Sequence, residues 1–199
     1  LVHGHGLWTM PGIYAARAAR RARVPFVLAP RGMLAPESFA RSKLKKGLMW
    51  FLLQRSALLG AACLHATSDL ERADLRHLGF RMPIAVIPNG VLPPSRLPPS
   101  GVPSGRRRVL LLSRIDEIKA IENLLSAWRE IEGGFAEWEL VICGPGRPRY
   151  LASLRALSRA LRHERVRFLS PRYGDDKTAL FDSARLFVLP SRSESFGMV

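Results

Sequence analysis

The sequence predicts an α/β protein made of two parallel-sheet units in tandem. Three observations carry this. Apolar runs of four to six residues alternate with stretches of helical periodicity in both halves of the chain, the pattern of parallel sheets joined by crossover helices. A Pro-, Ser- and Gly-rich stretch over residues 93–107 separates the halves and has the composition of a linker, not of a core. The 199 residues are 47% hydrophobic with a mean hydropathy of +0.02, enough apolar material for globular cores. The expected division is therefore 1–92, linker 93–107, and 108–199.

The opening Leu1-Val2-His3 reads as the end of a strand, and no initiator Met or signal peptide precedes it, so the chain is expected to be an internal piece of a longer protein. No uninterrupted apolar run is long enough to span a bilayer. Cys63 and Cys143 lie in separate apolar strands at no metal or redox spacing, so both are expected as buried free thiols, in keeping with a cytoplasmic location. The formal net charge is +15. Nucleic acid is one conceivable partner for such a chain, but no recognition motif or aromatic interleaving is present. An anionic membrane surface or phosphate-bearing substrates suit the distribution better, and Arg-rich codon usage would produce the same excess.

Taken in order, Leu1–Trp8 ends a strand and enters a loop flanked by Gly4 and Gly6. A helix follows Pro11, with Ile13, Ala16, Ala19 and Ala22 on one face and Arg17, Arg20, Arg21 and Arg23 pointing mostly outward. Val24–Ala29 reads as a buried strand ending at Pro30-Arg31-Gly32. Strand, helix, strand implies a parallel pair with a right-handed crossover, and ligands bind beyond the carboxyl ends of such strands. His5 and Arg31 both sit at such ends, although a His there is often structural. The cations of Arg41-Ser42-Lys43-Leu44-Lys45-Lys46 precede Gly47-Leu48-Met49-Trp50-Phe51-Leu52-Leu53. That order fits peripheral contact of residues 41–53 with an anionic membrane, or a helix that buries its apolar side in the domain. Gln54 and Arg55 interrupt the run. Ala62–Thr67 is a strand, and Ser68 with Glu71 three residues on forms a capping box, so Glu71 is read as a cap before a catalyst. Ile84–Ile87 is a strand ending at Pro88-Asn89-Gly90.

In the second half, Val109–Leu112 is a strand, and a helix with Ile121, Leu124, Leu125 and Trp128 on one face follows. Arg114 and Lys119 flank the turn between them. They can converge on a phosphate, Arg as a bidentate fork and Lys as a point charge, or remain solvated. Trp138–Cys143 is a strand running into Gly144-Pro145-Gly146, a turn that lets a ligand or helix approach the backbone. A helix over 150–162, a strand over 166–169 and a helix from Asp176 complete the repeat. Leu186–Leu189 opens as a buried strand and breaks at Pro190, with Glu194 in the loop beyond and Ser195-Phe196-Gly197 as a turn opening a helix. That arrangement suits a sugar joined to a phosphate, since a carboxylate accepts hydroxyl hydrogen bonds and free N–H groups favour an anion. It equally suits an ordinary strand-to-helix turn with a solvated Glu.

Several of these segments resemble the retaining glycosyltransferases of family 4, also called glycosyltransferase group 1. Leu-Pro-Ser-Arg-Ser-Glu-Ser-Phe-Gly-Met-Val (189–199) is similar to the family signature, whose second Glu, eight positions beyond Glu194, lies past Val199. His-Gly-His-Gly (3–6) is similar to the family's His-x-His, with His5 as the second His. Thr67-Ser68-x-x-Glu71 and Pro-Ile-Ala-Val-Ile-Pro-Asn-Gly-Val (83–91) resemble the end of the family's first domain, with Leu92 where Asp is usual. Ser113-Arg114-Ile115 with Lys119 resembles the diphosphate-binding segment, with Ala120 where Gly is usual.

The resemblance implies a GT-B fold of two Rossmann-like domains, both incomplete in this chain. It implies a nucleotide-sugar donor, a glycan or lipid-linked acceptor, transfer with retention, no metal and no cofactor, and no nucleic-acid partner. The setting implied is cell-surface polysaccharide synthesis in the cytoplasm, including the inner face of the membrane. Arg114 and Lys119 are expected to neutralise the diphosphate, Glu194 to bind sugar hydroxyls, and His5 to touch the sugar from the facing domain. Gly144, Gly146, Ser195, Phe196, Gly197 and Met198 are expected on the donor, and Arg31 and Gly32 on the acceptor side. The competing reading is a non-catalytic module that binds nucleotides or polyanions. A dinucleotide oxidoreductase needs a Gly-x-Gly-x-x-Gly turn after a strand, which is absent.

Overall fold

A computed structural model describes residues 1–35, 47–91, 105–194 and 197. By its contacts the chain divides into two compact units, Leu1–Leu92 with Ser193–Met198 and Pro93–Arg192 with Val199. The expected cations of residues 41–46, most of the linker, and Ser195, Phe196 and Met198 lie outside the described residues.

The first unit carries four parallel strands in the order β1 (Val2–His5), β2 (Phe26–Ala29), β3 (Cys63–Ala66), β4 (Ile84–Val86). Helix α1 (Met10–Arg21) starts at Pro11 in its first turn, where a missing N–H costs nothing. Its Ile13 and Ala19 are buried. A π-helical turn, Trp50–Gln54, leads into α2 (Arg55–Leu59), and α3 (Asp69–His77) follows β3. At α3 the Ser68 Oγ accepts the Glu71 N–H at 3.2 Å, the Ser68 half of the expected capping box, while the Glu71 carboxylate bonds Gly32 and Thr67 instead. Phe26, Leu28, Leu64 and Ala66 point to one sheet face, where they pack with Ala19, Leu58 and Leu75 from the three helices.

In the second unit the order is β7 (Val166–Leu169), β6 (Trp138–Cys143), β5 (Arg107–Leu112), β8 (Leu186–Phe187), again all parallel. Helices α4 (Ile121–Ile131) and α5 (Pro148–Ala160) cover one face through Ile121, Leu125, Trp128 and Leu154 against Leu111, Leu140 and Ile142. Helix α6 (Gly174–Asp182) covers the other through Leu180 against Leu110, Leu112, Val141 and Cys143. Where β5 and β6 are enclosed on both faces, over Val109–Leu112 and Leu140–Cys143, they are continuous apolar runs.

Three expectations need correction. The last strand is not buried: β8 is two residues long, pairs with β5 alone among the described residues, and leaves Leu186 and Phe187 exposed at 55% and 42%. The linker expected over 93–107 ends earlier than that, because Arg107 already belongs to β5, where the adjacent Arg108 donates to buried Glu139 at 2.6 Å. The two thiols are free but unequal: Cys143 is buried, and burial raises its pKa, whereas Cys63 is half-buried.

Candidate functional site

The carboxyl ends of the first sheet gather the polar side chains of that unit. The parallel register sets His5 beside Ala29 and His65 beside Ala85. Alternation along each strand then puts His3, His5 and His65 on the face opposite the helices. Ala29, fully buried, has too little bulk to keep them apart. The His3 and His5 ring centroids lie 4.2 Å apart, and those of His3 and His65 5.4 Å.

Their hydrogen bonds fix the protons. His65 Nε2 meets the Ile87 carbonyl at 2.8 Å, which can only accept, so that nitrogen carries the proton. His65 Nδ1 is then the acceptor facing His3 Nε2 at 3.4 Å. Arg31 donates to His5 Nδ1 at 3.0 Å, so His5 keeps its proton on Nε2 and offers it as a donor. Burial, the Arg31 charge and His65 all lower the His5 pKa; burial, His5, His65 and Arg31 lower that of His3. Both shifts favour the neutral imidazole at His3 and His5.

Arg31 is held from two sides. Its guanidinium also donates to Asn89 Oδ1 in the loop after β4. Its backbone takes φ +57°, and Gly32 beside it φ +71°. That left-handed turn is pinned by Glu71, whose Oε1 accepts the Gly32 N–H at 2.6 Å. Oε2 of the same carboxylate accepts the Thr67 N–H and hydroxyl at 2.7 and 2.8 Å. Glu71 and Thr67 are 4% and 1% exposed, so this carboxylate stands in place of water for three donors. Glu71 is thus more than a cap: it carries the turn that presents Arg31 to His5. His3, His65, Asn89 and Glu71 were not singled out as site residues from the sequence. His3 inside His-Gly-His, Glu71 in Thr67-Ser68-x-x-Glu71 and Asn89 in the 83–91 stretch carried a local signal, whereas His65 carried none.

In the second unit the expected donor segments meet at the carboxyl ends of β5 and β6. The Ser113–Lys119 stretch leaves β5, bridges to Gly146 through Ile115, and donates the Ile115 N–H to the Pro145 carbonyl at 2.7 Å. Gly144 takes φ +149°, and a Cβ there would stand 1.8 Å from the Ser113 carbonyl oxygen. At Gly146 a Cβ would lie 2.8 Å from the Ile115 Cβ. Both glycines are demanded by close approach of two backbones, which leaves a floor of bare main chain. A 3₁₀ turn, Glu117–Lys119, opens with Asp116 accepting the Ile118 N–H at 3.2 Å and ends at Ala120, left-handed at φ +48°. That conformation is the physical reason a Gly suits the position. Arg114 is exposed and Lys119 half-buried. Arg147, at the start of α5, grips both Glu117 oxygens at 2.8 and 2.7 Å, tying the Gly144–Gly146 turn to the 3₁₀ turn. The Arg192 N–H donates to the Ile118 carbonyl at 2.8 Å, bringing the end of the Pro190–Arg192 stretch to that turn. Glu194 and Gly197, which group with the first unit by their contacts, are half-buried and exposed at φ +67° respectively. No group of three or more His, Cys, Asp or Glu able to hold a metal occurs among the described residues.

Two all-parallel α/β units, each with its polar residues at the strand ends, define the GT-B class of fold. Solved structures share it. The Anabaena protein HepE in complex with UDP and glucose matches 98% of this chain and 54% of its own, with a TM-score of 0.75 at 22% identity. The lipopolysaccharide outer core galactosyltransferase WaaB matches 98% and 52%, with a TM-score of 0.66 at 18% identity. Within that class the sequence matches the glycosyl transferase 4-like domain over residues 1–90 and the glycosyl transferases group 1 domain over residues 106–199. The chain belongs to this glycosyltransferase family. The D-inositol 3-phosphate glycosyltransferases of Salinispora tropica and Salinispora arenicola are 38% and 36% identical over 101 residues. Those matches span 46% of this chain but 20% and 22% of the relatives, and about half the length of each solved structure above is covered.

Proposed function

We propose that the chain is the donor-binding and sugar-facing part of a retaining glycosyltransferase. It takes a sugar from a nucleoside diphosphate to a glycan or lipid-linked acceptor in cell-surface polysaccharide synthesis. The observation that carries this reading is the Gly144–Gly146 turn locked on Ser113 and Ile115, with Arg114 and Lys119 on the adjoining segment. Bare main chain beside two cations suits a diphosphate that gains charge as it leaves, and fixed charges stabilise such a transition state without reorganisation. The bond between the anomeric carbon and the diphosphate oxygen breaks while an acceptor hydroxyl oxygen bonds that carbon from the same face. The hydroxyl proton passes to the departing phosphate oxygen, and no metal is required. Glu194 accepts from sugar hydroxyls; the N–H groups of Ser195, Phe196, Gly197 and Met198 bind phosphate; the His5 Nε2–H donates to the sugar. Arg31 and Gly32 serve the acceptor side. UDP in the HepE structure, and UDP with GlcNAc in that of the pneumococcal O-GlcNAc transferase GtfA, favour a uridine nucleotide.

Isothermal titration of the chain with UDP, GDP and ADP tests the donor site. Saturable binding of one nucleotide, lost in Lys119→Ala and in Arg114→Ala, is expected. Salt-sensitive binding of any polyanion with no nucleotide preference would instead favour the non-catalytic module that the +15 charge suggests.

A further inference from the structure

The helical stretch after β2 has its polarity reversed. Gln54 is 2% exposed and accepts the Trp8 N–H at 3.0 Å, while Phe51 and Leu52 stand 81% and 66% exposed. Leu48 and Leu59 are 65% and 50% exposed. The cause is the π turn over Trp50–Gln54, which fits an extra residue into one turn and shifts the faces of the helix. Trp50 faces inward, with its ring 6.2 Å from that of Trp8 and edge-on to Phe80 at 6.1 Å. Single exposed apolar side chains are ordinary, but four along one short stretch mark an interaction surface.

The charges around it have one sign. Residues 1–35 and 47–68 contain no Asp or Glu. A cleft of about 80 Å³ between α1 and the π turn is lined by Arg17, Arg20, Leu52 and Leu53. A shallower depression beside it is lined by Arg20, Phe51, Arg55 and Leu59. None of Arg17, Arg20 or Arg55 has a carboxylate partner among the described residues. Aromatic and aliphatic tips interleaved with unpaired guanidinium groups match the boundary of an anionic bilayer, where acyl chains and phosphates lie within one side chain's length of each other. No described helix is long and apolar enough to cross a membrane, so the contact is peripheral.

We propose that this face docks on an anionic phospholipid surface, with Phe51, Leu52 and Leu48 entering the acyl boundary and Arg17, Arg20 and Arg55 binding lipid phosphates. The surface lies entirely in the first unit, so it stands or falls apart from the nucleotide site of the second. Flotation of the chain with phosphatidylcholine vesicles, with and without about 30% phosphatidylglycerol, tests it. The chain is expected to float with the anionic vesicles only. Phe51→Ser with Leu52→Ser, which changes no charge, is expected to lower binding at least about tenfold. Arg17→Gln with Arg20→Gln is expected to lower it similarly, whereas the charge-matched control Arg129→Gln with Arg159→Gln, on exposed helix faces of the second unit, retains it. Equal loss in the two arginine pairs with no effect of the serine variant would overturn the proposal in favour of general polycation adsorption. No binding by the parent chain would overturn it outright. A dimer abolished by the serine variant would assign the face to a second copy instead.

Discussion

Removing the Glu71 side chain should strike stability and site geometry together. Glu71→Ala keeps the helix cap, because the Ser68 Oγ bonds the Glu71 backbone N–H, not its side chain. It strips the acceptor from the Gly32 N–H, the Thr67 N–H and the Thr67 hydroxyl. The hydroxyl can turn to another partner. The Thr67 N–H sits in a residue 1% exposed and stays unsatisfied, while the half-buried Gly32 N–H can recover water in part. At about 1–3 kcal/mol for each buried donor left without a partner, the expected loss is about 2–4 kcal/mol. Ser68→Ala, which removes only the cap, should cost about 1 kcal/mol. Urea denaturation read at the tryptophans Trp8 and Trp50 of the first unit gives both numbers. The second readout is nitrogen NMR of the imidazoles. With the Gly32 turn unpinned, Arg31 no longer holds His5 Nδ1, and the His5 ring nitrogens should shift toward a mixed tautomer while those of His65 stay put. A variant within about 0.5 kcal/mol of the parent and with an unchanged His5 spectrum would refute the pinning role.

Gly144→Ala forces a Cβ to 1.8 Å from a backbone oxygen that no rotamer change can move, so unfolding of the second unit should come more than about 3 kcal/mol earlier. Trp128 and Trp138 fluorescence reports it, and a near-parental midpoint would contradict the close approach. Ala120→Gly relieves a left-handed alanine worth about 1–2 kcal/mol but loses a buried methyl worth about 0.8 kcal/mol, so urea titration should find a change between zero and about 1 kcal/mol in favour of Gly. A clear loss would mean that packing at Ala120 outweighs its backbone. The lowered pKa values of His3 and His5 mean that the unfolded chain binds more protons than the folded one below the ordinary value of 6.5. Stability is therefore fully present above that pH and falls as the solution is acidified through the folded-state values. His3→Gln with His5→Gln should flatten that slope in thermal melts between about pH 7 and pH 5.

The local code of the chain was readable residue by residue. Apolar runs marked the strands, Pro11 and Ser68 with Glu71 marked helix starts, and Gly144-Pro145-Gly146 marked the turn that close approach demands. All of these depend on neighbours within a few positions, where backbone preference and side-chain period decide. What tertiary structure alone decided is who stands across from whom. Parallel register brought His65 to His3 across sixty-two positions and gave buried Glu71 the Gly32 turn to hold. One π turn put Gln54 inside and Phe51 outside, against the polarity of both side chains. In each case the deciding energy is a contact between segments far apart in sequence, which no local pattern encodes.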